Sequence, residues 1–451
     1  MERKFTKLTG SILILVLLLV GFNAKAQTNF ASNEKLKKET KKDSSAAALT
    51  ETKATAKPAE DTTWKPQRRI WGYTFGDFYY NAHADATNRG SESMYNGVPT
   101  YRNAFQFRRL YLGYDYDITK KFKAEVLLAS EPNANTGVNG ATSIQNGDNL
   151  VDGKMSFWIK NFNIRVRDLW TGTDFVIGEM GTPGFALNEP GTNGPNSLSE
   201  TTWAYRSIEK TITDFHKNNS YDVGAALQGT FDPKTKNFGY VLMVGNNSQA
   251  SLLSAGNAAT GFYKIVYGDL WGKFLNQKLY VDIYADYAKT APATAAIPGQ
   301  EHNMYKIFAS YSTKPITFGV EAYTQKFASG VTNSTTKAPE DATAQALSIW
   351  VRGPVAKSLN YFARFDTYNP NTDFNAADSY TTNTNYGAYN PTVKEKFYTA
   401  GLDYNPTKNV HFMPNIWLID YSDNRASTTT GYVPNDHNLV YRFTFYYTFG
   451  K

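Results

Sequence analysis

The chain has no cysteine among its 451 residues, which removes disulfides, thiolate metal sites, cysteine nucleophiles and a lipidated N-terminal cysteine together. Long apolar runs are also missing. The longest, Ile12–Val20, is shorter than the roughly 20 residues a membrane-crossing helix needs. Histidine is scarce: His83, His216, His302, His411 and His437 are scattered, and none has metal-motif spacing with another. No serine sits in a nucleophile elbow. The Asp- and Asn-rich stretch NGDNLVDG, Asn146 to Gly153, lacks the closing glutamate of a calcium loop and reads as a polar turn. Asn333-Ser334-Thr335 matches a glycosylation acceptor only formally. From these absences we expect no enzyme, no metal and no cofactor.

What is abundant is aromatic. With 31 Tyr, 28 Phe and 8 Trp, aromatics make up 15% of a chain whose mean hydropathy is only −0.47. Strands flanked by interfacial aromatic girdles would use such a composition, whereas a hydrophilic soluble domain has no need of it.

The first 26 residues read as a signal peptide, with basic Arg3, Lys4 and Lys7, the apolar run, and the small-x-small site Ala24-Lys25-Ala26. Residues 27–66 are low in aromatics and rich in Lys, Glu, Ala and Thr, and read as a flexible periplasmic tail. The formal charge is +7, of which the leader's four basic and one acidic residues supply three. A mild, interspersed surplus on an exported chain argues against nucleic acid as a partner.

From residue 67 to 451 the hydrophobic period is two. In LYLGYDYDI, Leu110, Leu112, Tyr114, Tyr116 and Ile118 alternate with Tyr111, Gly113, Asp115 and Asp117. In FKAEVLLAS, Phe122, Ala124, Val126 and Leu128 alternate with Lys123, Glu125 and Leu127. About sixteen such segments are expected, joined alternately by short connections such as 118–121, 232–237, 312–315, 353–358 and 405–409, and by long ones. The long ones cover about 82–103, 131–153, 181–219, 246–260, 289–302, 328–343, 369–394 and 422–437. Strict alternation of tight turns and long loops is the pattern of a transmembrane antiparallel up-and-down β-barrel. A closed ring in lipid also disposes of the chain's final strand, LVYRFTFYYTFGK, whose aromatic stripe and unpaired edge would be hazards in water. A ring of about sixteen strands leaves an interior wide enough for water. A soluble sandwich also has alternating strands, but it needs neither this loop pattern nor the terminal stripe.

The chain resembles the phosphate-selective porin O and P family of bacterial outer-membrane porins. The likeness covers most of Trp71 to Lys451 and is carried by RRLYLGYDYDITKKFKAEVLLASE, FVIGEMGTPGFALNE, WAYRSIEK, YDVGAALQGTF and YVLMVGNN. It implies a sixteen-stranded homotrimer with the third long loop, Gly181 to Asn219, folded into the lumen. The terminal aromatics Phe445, Tyr447 and Phe449 resemble the signal read by the barrel-assembly machinery. Selectivity in a pore comes from charges near its narrowest point. By position, the constriction would carry Arg206 and Lys210 as an anion-attracting pair, diluted by Glu200, Glu209 and Asp214, and Arg206 matches the family's loop motif. Lys123, Glu125, Arg364 and Arg442 would line the lumen wall. The expected partners are outer-membrane lipid and small ions or solutes, and the expected function is passive diffusion, general or weakly anion-preferring. An adhesin-like or structural barrel with an occluded lumen, or a barrel hydrolase, are the competing readings.

Overall fold

The computed structural model describes residues 64–90, 95, 97–130, 150–151, 154–155, 157–186, 210–216, 220–247, 264–289, 301–383 and 390–450. Sixteen strands form the wall: β1 Arg68–His83, β2 Asn103–Asp117, β3 Phe122–Ser130, β4 Trp158–Trp170, β5 Thr173–Gly181, β6 Tyr221–Thr230, β7 Phe238–Gly245 and β8 Ile265–Phe274. The second half comprises β9 Leu279–Lys289, β10 Glu301–Ser312, β11 Thr317–Asn333, β12 Pro339–Ala356, β13 Leu359–Asn369, β14 Val393–Thr407, β15 Val410–Asp423 and β16 Asp436–Phe449. Each pairs antiparallel with its sequence neighbours, and β16 pairs with β1, from Gly72 opposite Phe449 to His83 opposite Leu439. The ring is closed, so it has no free edge to be satisfied within the hydrocarbon.

The period-two pattern decides which side chains face which way. Outside stand Phe105, Leu112, Phe162, Ile283, Ile307, Phe318, Ile349, Tyr441 and Phe443, all exposed on the face that such a barrel turns to lipid. Inside stand Asp77, Lys123, Glu125, Lys306, Glu321, Arg364 and Arg442, all buried. Both alternations read in β2 and β3 hold. β1 is different: Trp71, Tyr73, Phe75 and Tyr79 are its inward residues, so much of its aromatic content faces the interior.

Glycines and aromatics meet as direct cross-strand partners at several places. Gly72 pairs with Phe449 and Gly76 with Phe445 on the outside; Gly113 pairs with Trp71, Gly239 with Trp271 and Gly319 with Trp350 on the inside. In each pair the ring occupies the space that a Cβ on the glycine would take. Covering a strand glycine with a facing ring restores the burial that glycine lacks and pins the register.

The short turns are chemically specified. In the turn after β6, the Asp232 carboxylate accepts from the Thr235 hydroxyl and from the backbone N–H groups of Asn237 and Phe238, both 2.9 Å away. The Thr235 hydroxyl, followed by those two N–H groups, holds this carboxyl below the usual carboxylate range.

Two boundaries differ from the expectation. The strand expected to follow the 246–260 connection directly, near 261–268, is Ile265–Phe274. The loop expected over 328–343 is mostly strand: β11 and β12 continue past a bulge at Ser329 (φ 50°) and pair again at Val331–Glu340 and Thr332–Pro339. A turn at 334–338 joins them, in which Asn333 Oδ1 accepts from the N–H groups of Thr335 and Thr336. Gly330 and the Ser/Thr-rich turn disguised the hairpin, because local turn chemistry and a loop share one composition. The short strand Tyr380–Thr382 adds to the free side of this hairpin.

Candidate functional site

The interior is organised around the third long loop, of which two short helices are described, α1 Pro183–Ala186 and α2 Ile212–Phe215. Thr211 starts α2 by accepting from Asp214 N–H at 3.0 Å, a standard N-cap. The segment around α2 is fastened to the inner wall by four kinds of contact. The Thr213 hydroxyl donates to the Glu321 carboxylate of β11. Arg364 of β13 donates through Nη1 to the Lys210 carbonyl at 2.6 Å. Phe215 packs edge-on against Phe397 and Trp417, with ring centroids 5.7 and 6.1 Å away. His216 stacks on Tyr368 at 3.4 Å. At the loop's other end, Lys306 of β10 donates to the Gly184 carbonyl at 2.6 Å and lies 3.8 Å from Glu321. The described ends of the loop, 183–186 and 210–216, are therefore held on the inner side of the wall formed by β10 to β15.

His216 lies in this loop, outside the spanning strands. Burial, with a smaller contribution from the Arg364 guanidinium, pushes its pKa down to about 3, so the stacked ring is neutral at ordinary pH.

Charge on the wall is paired rather than displayed. Arg364 also forms two bonds to Asp366, at 2.8 and 2.5 Å, and lies over the Phe215 and Phe397 rings. Arg442 pairs with Asp77 across the β1–β16 seam, and its guanidinium sits 4.1 Å from the centre of the Trp417 ring. Gln106 donates to the same Asp77 at 2.7 Å. Nearer the short-turn end, Lys123 lies 3.0 Å from Glu125 and 3.6 Å from Asp115, and Arg165 joins Glu125 to Asp174. Lys160 sits over the rings of Tyr111, Trp158 and Tyr221. Burial of unpartnered charge would cost several kcal/mol, and these pairings offset part of that cost.

Of the residues singled out in the sequence, Lys123, Glu125, Arg364 and Arg442 stand on the inner wall in these networks. Lys210 and Asp214 flank and occupy α2, both half-buried. Glu200, Arg206 and Glu209 lie outside the described residues, as does most of Asn146 to Gly153. Phe445 and Phe449 lie half-buried on the outer face, covering Gly76 and Gly72, with Tyr447 exposed beside them. Sequence reasoning missed Asp77, Glu321, Phe397 and Trp417. The signal for Asp77 was present, a lone carboxylate in RRIWGYTFGDFYY, while Glu321, Phe397 and Trp417 meet Thr213 and Phe215 only because the loop docks there.

Among the described residues, 14 acidic and nine basic side chains are buried. The wall therefore carries no excess of positive charge.

No protein-family model matches the chain, and no curated protein matches it. Solved structures do. The outer-membrane channel DcaP of Acinetobacter baumannii superposes with a TM-score of 0.52 at 10% identity, over 85% of this chain and 97% of that one. OmpT in trimer form, an outer-membrane protein of Vibrio cholerae, gives 0.51 at 9% identity over 85% and 99%. An anion-selective porin from Comamonas acidovorans gives 0.50 at 12% identity over 85% and 100%. At this level of identity the likeness establishes the fold: the chain is a closed sixteen-stranded antiparallel barrel of the outer-membrane type.

Proposed function

We propose that the chain is an outer-membrane porin through which small hydrophilic solutes and ions diffuse passively. The observation that carries this reading is the third loop, bound to the inner wall through Thr213–Glu321, Lys210–Arg364 and Phe215–Trp417. A loop fixed inside an open-ended ring sets a steric cutoff, and the charges around it bias which ion enters. The fold neighbours that are an outer-membrane channel and an anion-selective porin, and the resemblance to phosphate-selective porins, support the same reading. On the same grounds we place the chain in the outer membrane as a homotrimer inserted by the barrel-assembly machinery, with residues 1–26 removed on export and 27–66 a periplasmic tail.

The wall networks bear on selectivity. Lys123, Arg364 and Arg442 each have a carboxylate within salt-bridge reach, so they offer a permeating anion less than their number implies. We assign the pore weak charge selectivity, with any anion preference supplied by Arg206 and Lys210 of the loop. A second reading, a structural barrel with a blocked lumen, draws on the inward packing of Phe215, Phe397, Trp417 and Tyr95.

Reconstitution in planar bilayers, with reversal potentials measured in chloride and phosphate gradients, tests both. Discrete conductance steps with small reversal potentials are expected. Absence of conductance would replace the porin with the blocked barrel, and strong cation selectivity would remove the roles given to Arg206 and Lys210.

A further inference from the structure

Closure of the barrel brings together residues from its two ends that no spacing rule connects. At the long-loop end of the β1–β16 seam, His83 Nε2 lies 2.8 Å from Asp436 Oδ1, and His437 Nδ1 lies 3.7 Å from the same oxygen. The two imidazoles are neighbours, with centroids 4.2 Å apart and planes at 30°. One ligand atom from each of the three residues lies within 4.8 Å of the others. Sequence spacing does not pair His83 with His437, for a barrel seam juxtaposes positions that are remote in sequence.

The surroundings favour a cation at this point. Among the described residues no lysine or arginine forms a salt bridge with Asp436; the side chains that reach its carboxylate are the two imidazoles. Its second oxygen is anchored by the Ala86 N–H at 2.9 Å, and Oδ1 accepts from the His437 N–H at 2.8 Å. The strand is bulged between Asn81 and His83, which turns His83 toward the partner strand. Next to it, Asp85 N–H donates to Asn438 Oδ1 at 2.6 Å, tying the segment after β1 to a side chain of β16. The site is part open: His83 and His437 side chains are 42% and 41% exposed, leaving room for water as a further ligand.

We propose that His83, Asp436 and His437 bind a divalent transition-metal ion across the closing seam, as a two-nitrogen, one-oxygen site of the kind that suits Zn²⁺, Ni²⁺ or Cu²⁺. A metal there replaces the hydrogen bond from His83 to Asp436 with coordination and clamps the first strand to the last at the outer rim. Ca²⁺ and Mg²⁺, which take mainly oxygen ligands, are excluded by the same donor set.

The test uses the full detergent-folded chain. Titration with Co²⁺ should give d–d absorption bands of a nitrogen-ligated ion at one equivalent, displaced by Zn²⁺. His83→Ala and His437→Ala should each weaken binding by at least about tenfold, and Zn²⁺ should raise the unfolding midpoint of the unmodified chain but not of the double variant. If the variants do not fold, diethyl pyrocarbonate labelling of the unmodified chain serves instead, with Zn²⁺ protecting His83 and His437 selectively over His411. Absent bands, equal Co²⁺ affinity in the double variant, or labelling unaffected by Zn²⁺ would each overturn the proposal.

Discussion

The ring of Phe449 lies over Gly72 across the closing seam, so near that a Cβ on Gly72 would fall 2.5 Å from Phe449 Cζ. One strand supplies the gap and its partner supplies the ring that fills it. The same arrangement recurs four residues along, where Phe445 covers Gly76.

Gly72→Ala should therefore destabilise the closed barrel by about 1–3 kcal/mol, the usual cost of forcing a methyl into a filled space. Phe449→Leu should recover only the ring's share of that loss in the double variant, because the Tyr111 carbonyl oxygen, closer still to the same Cβ position, stays in place. The readout is the temperature at which folded, fast-migrating protein converts to the unfolded form on denaturing gels. Equal, additive losses in single and double variants would show that the ring and the glycine do not interact.

Arg442→Ala should be more damaging. It leaves Asp77 buried without its guanidinium partner and uncovers the Trp417 ring. Breaking one side of a buried pair costs about 3–5 kcal/mol. The double change Asp77→Asn with Arg442→Gln should be milder than Arg442→Ala alone, as measured by unfolding in guanidinium. A double variant as weak as the single would argue against pairing as the cause.

Loop docking sets a third expectation. Phe215→Ala removes the ring held between Phe397 and Trp417, and Thr213→Val removes the donor to Glu321. Each should enlarge and destabilise the single-channel conductance without lowering the barrel's unfolding temperature much, since the wall does not depend on the loop for its ladder. Unchanged channel records from both variants would mean that this loop does not form the constriction.

The pH dependence follows from His216. In the docked state it takes up a proton only near pH 3, whereas the released ring does so near its ordinary value of 6.5. Docking is thus fully supported above pH 6.5 and loses support progressively as pH falls from 6.5 toward 3. Channel noise and mean conductance should rise over that window, and His216→Phe, which keeps a ring against Tyr368, should flatten the response. A wild-type record independent of pH across the window would contradict the assignment.

The fold was legible because its signal is repeated. Each strand carries its own alternation, and the side facing lipid is written in residues such as Leu112, Tyr114, Phe443 and Tyr447, so an error of several residues at one boundary leaves the ring intact. The interior was less legible. Arg442 could be assigned to the inner side from parity alone, but parity does not say that Asp77 on the first strand faces it. Nor could sequence distance reveal that Phe215 would settle between Phe397 and Trp417, or that His83 and His437 would stand side by side. Such contacts are set by register around a closed ring and by where a long loop lands. The hairpin at 328–343 failed for a third reason: a bulge and an Asx turn use the same residues as a true loop.

Strand length is uneven around the wall, with nine residues in β5 and 18 in β12. At roughly 3.3 Å per residue and a tilt of about 45°, nine extra residues raise one side by about 20 Å. Among the described strands the wall is accordingly tallest at the β11–β12 hairpin and shorter at β5. On the proposed porin reading, a phage or an antibody would meet the 334–338 turn on the high side first and solutes would enter past the shorter strands, so recognition and permeation would fall at different points of the circumference.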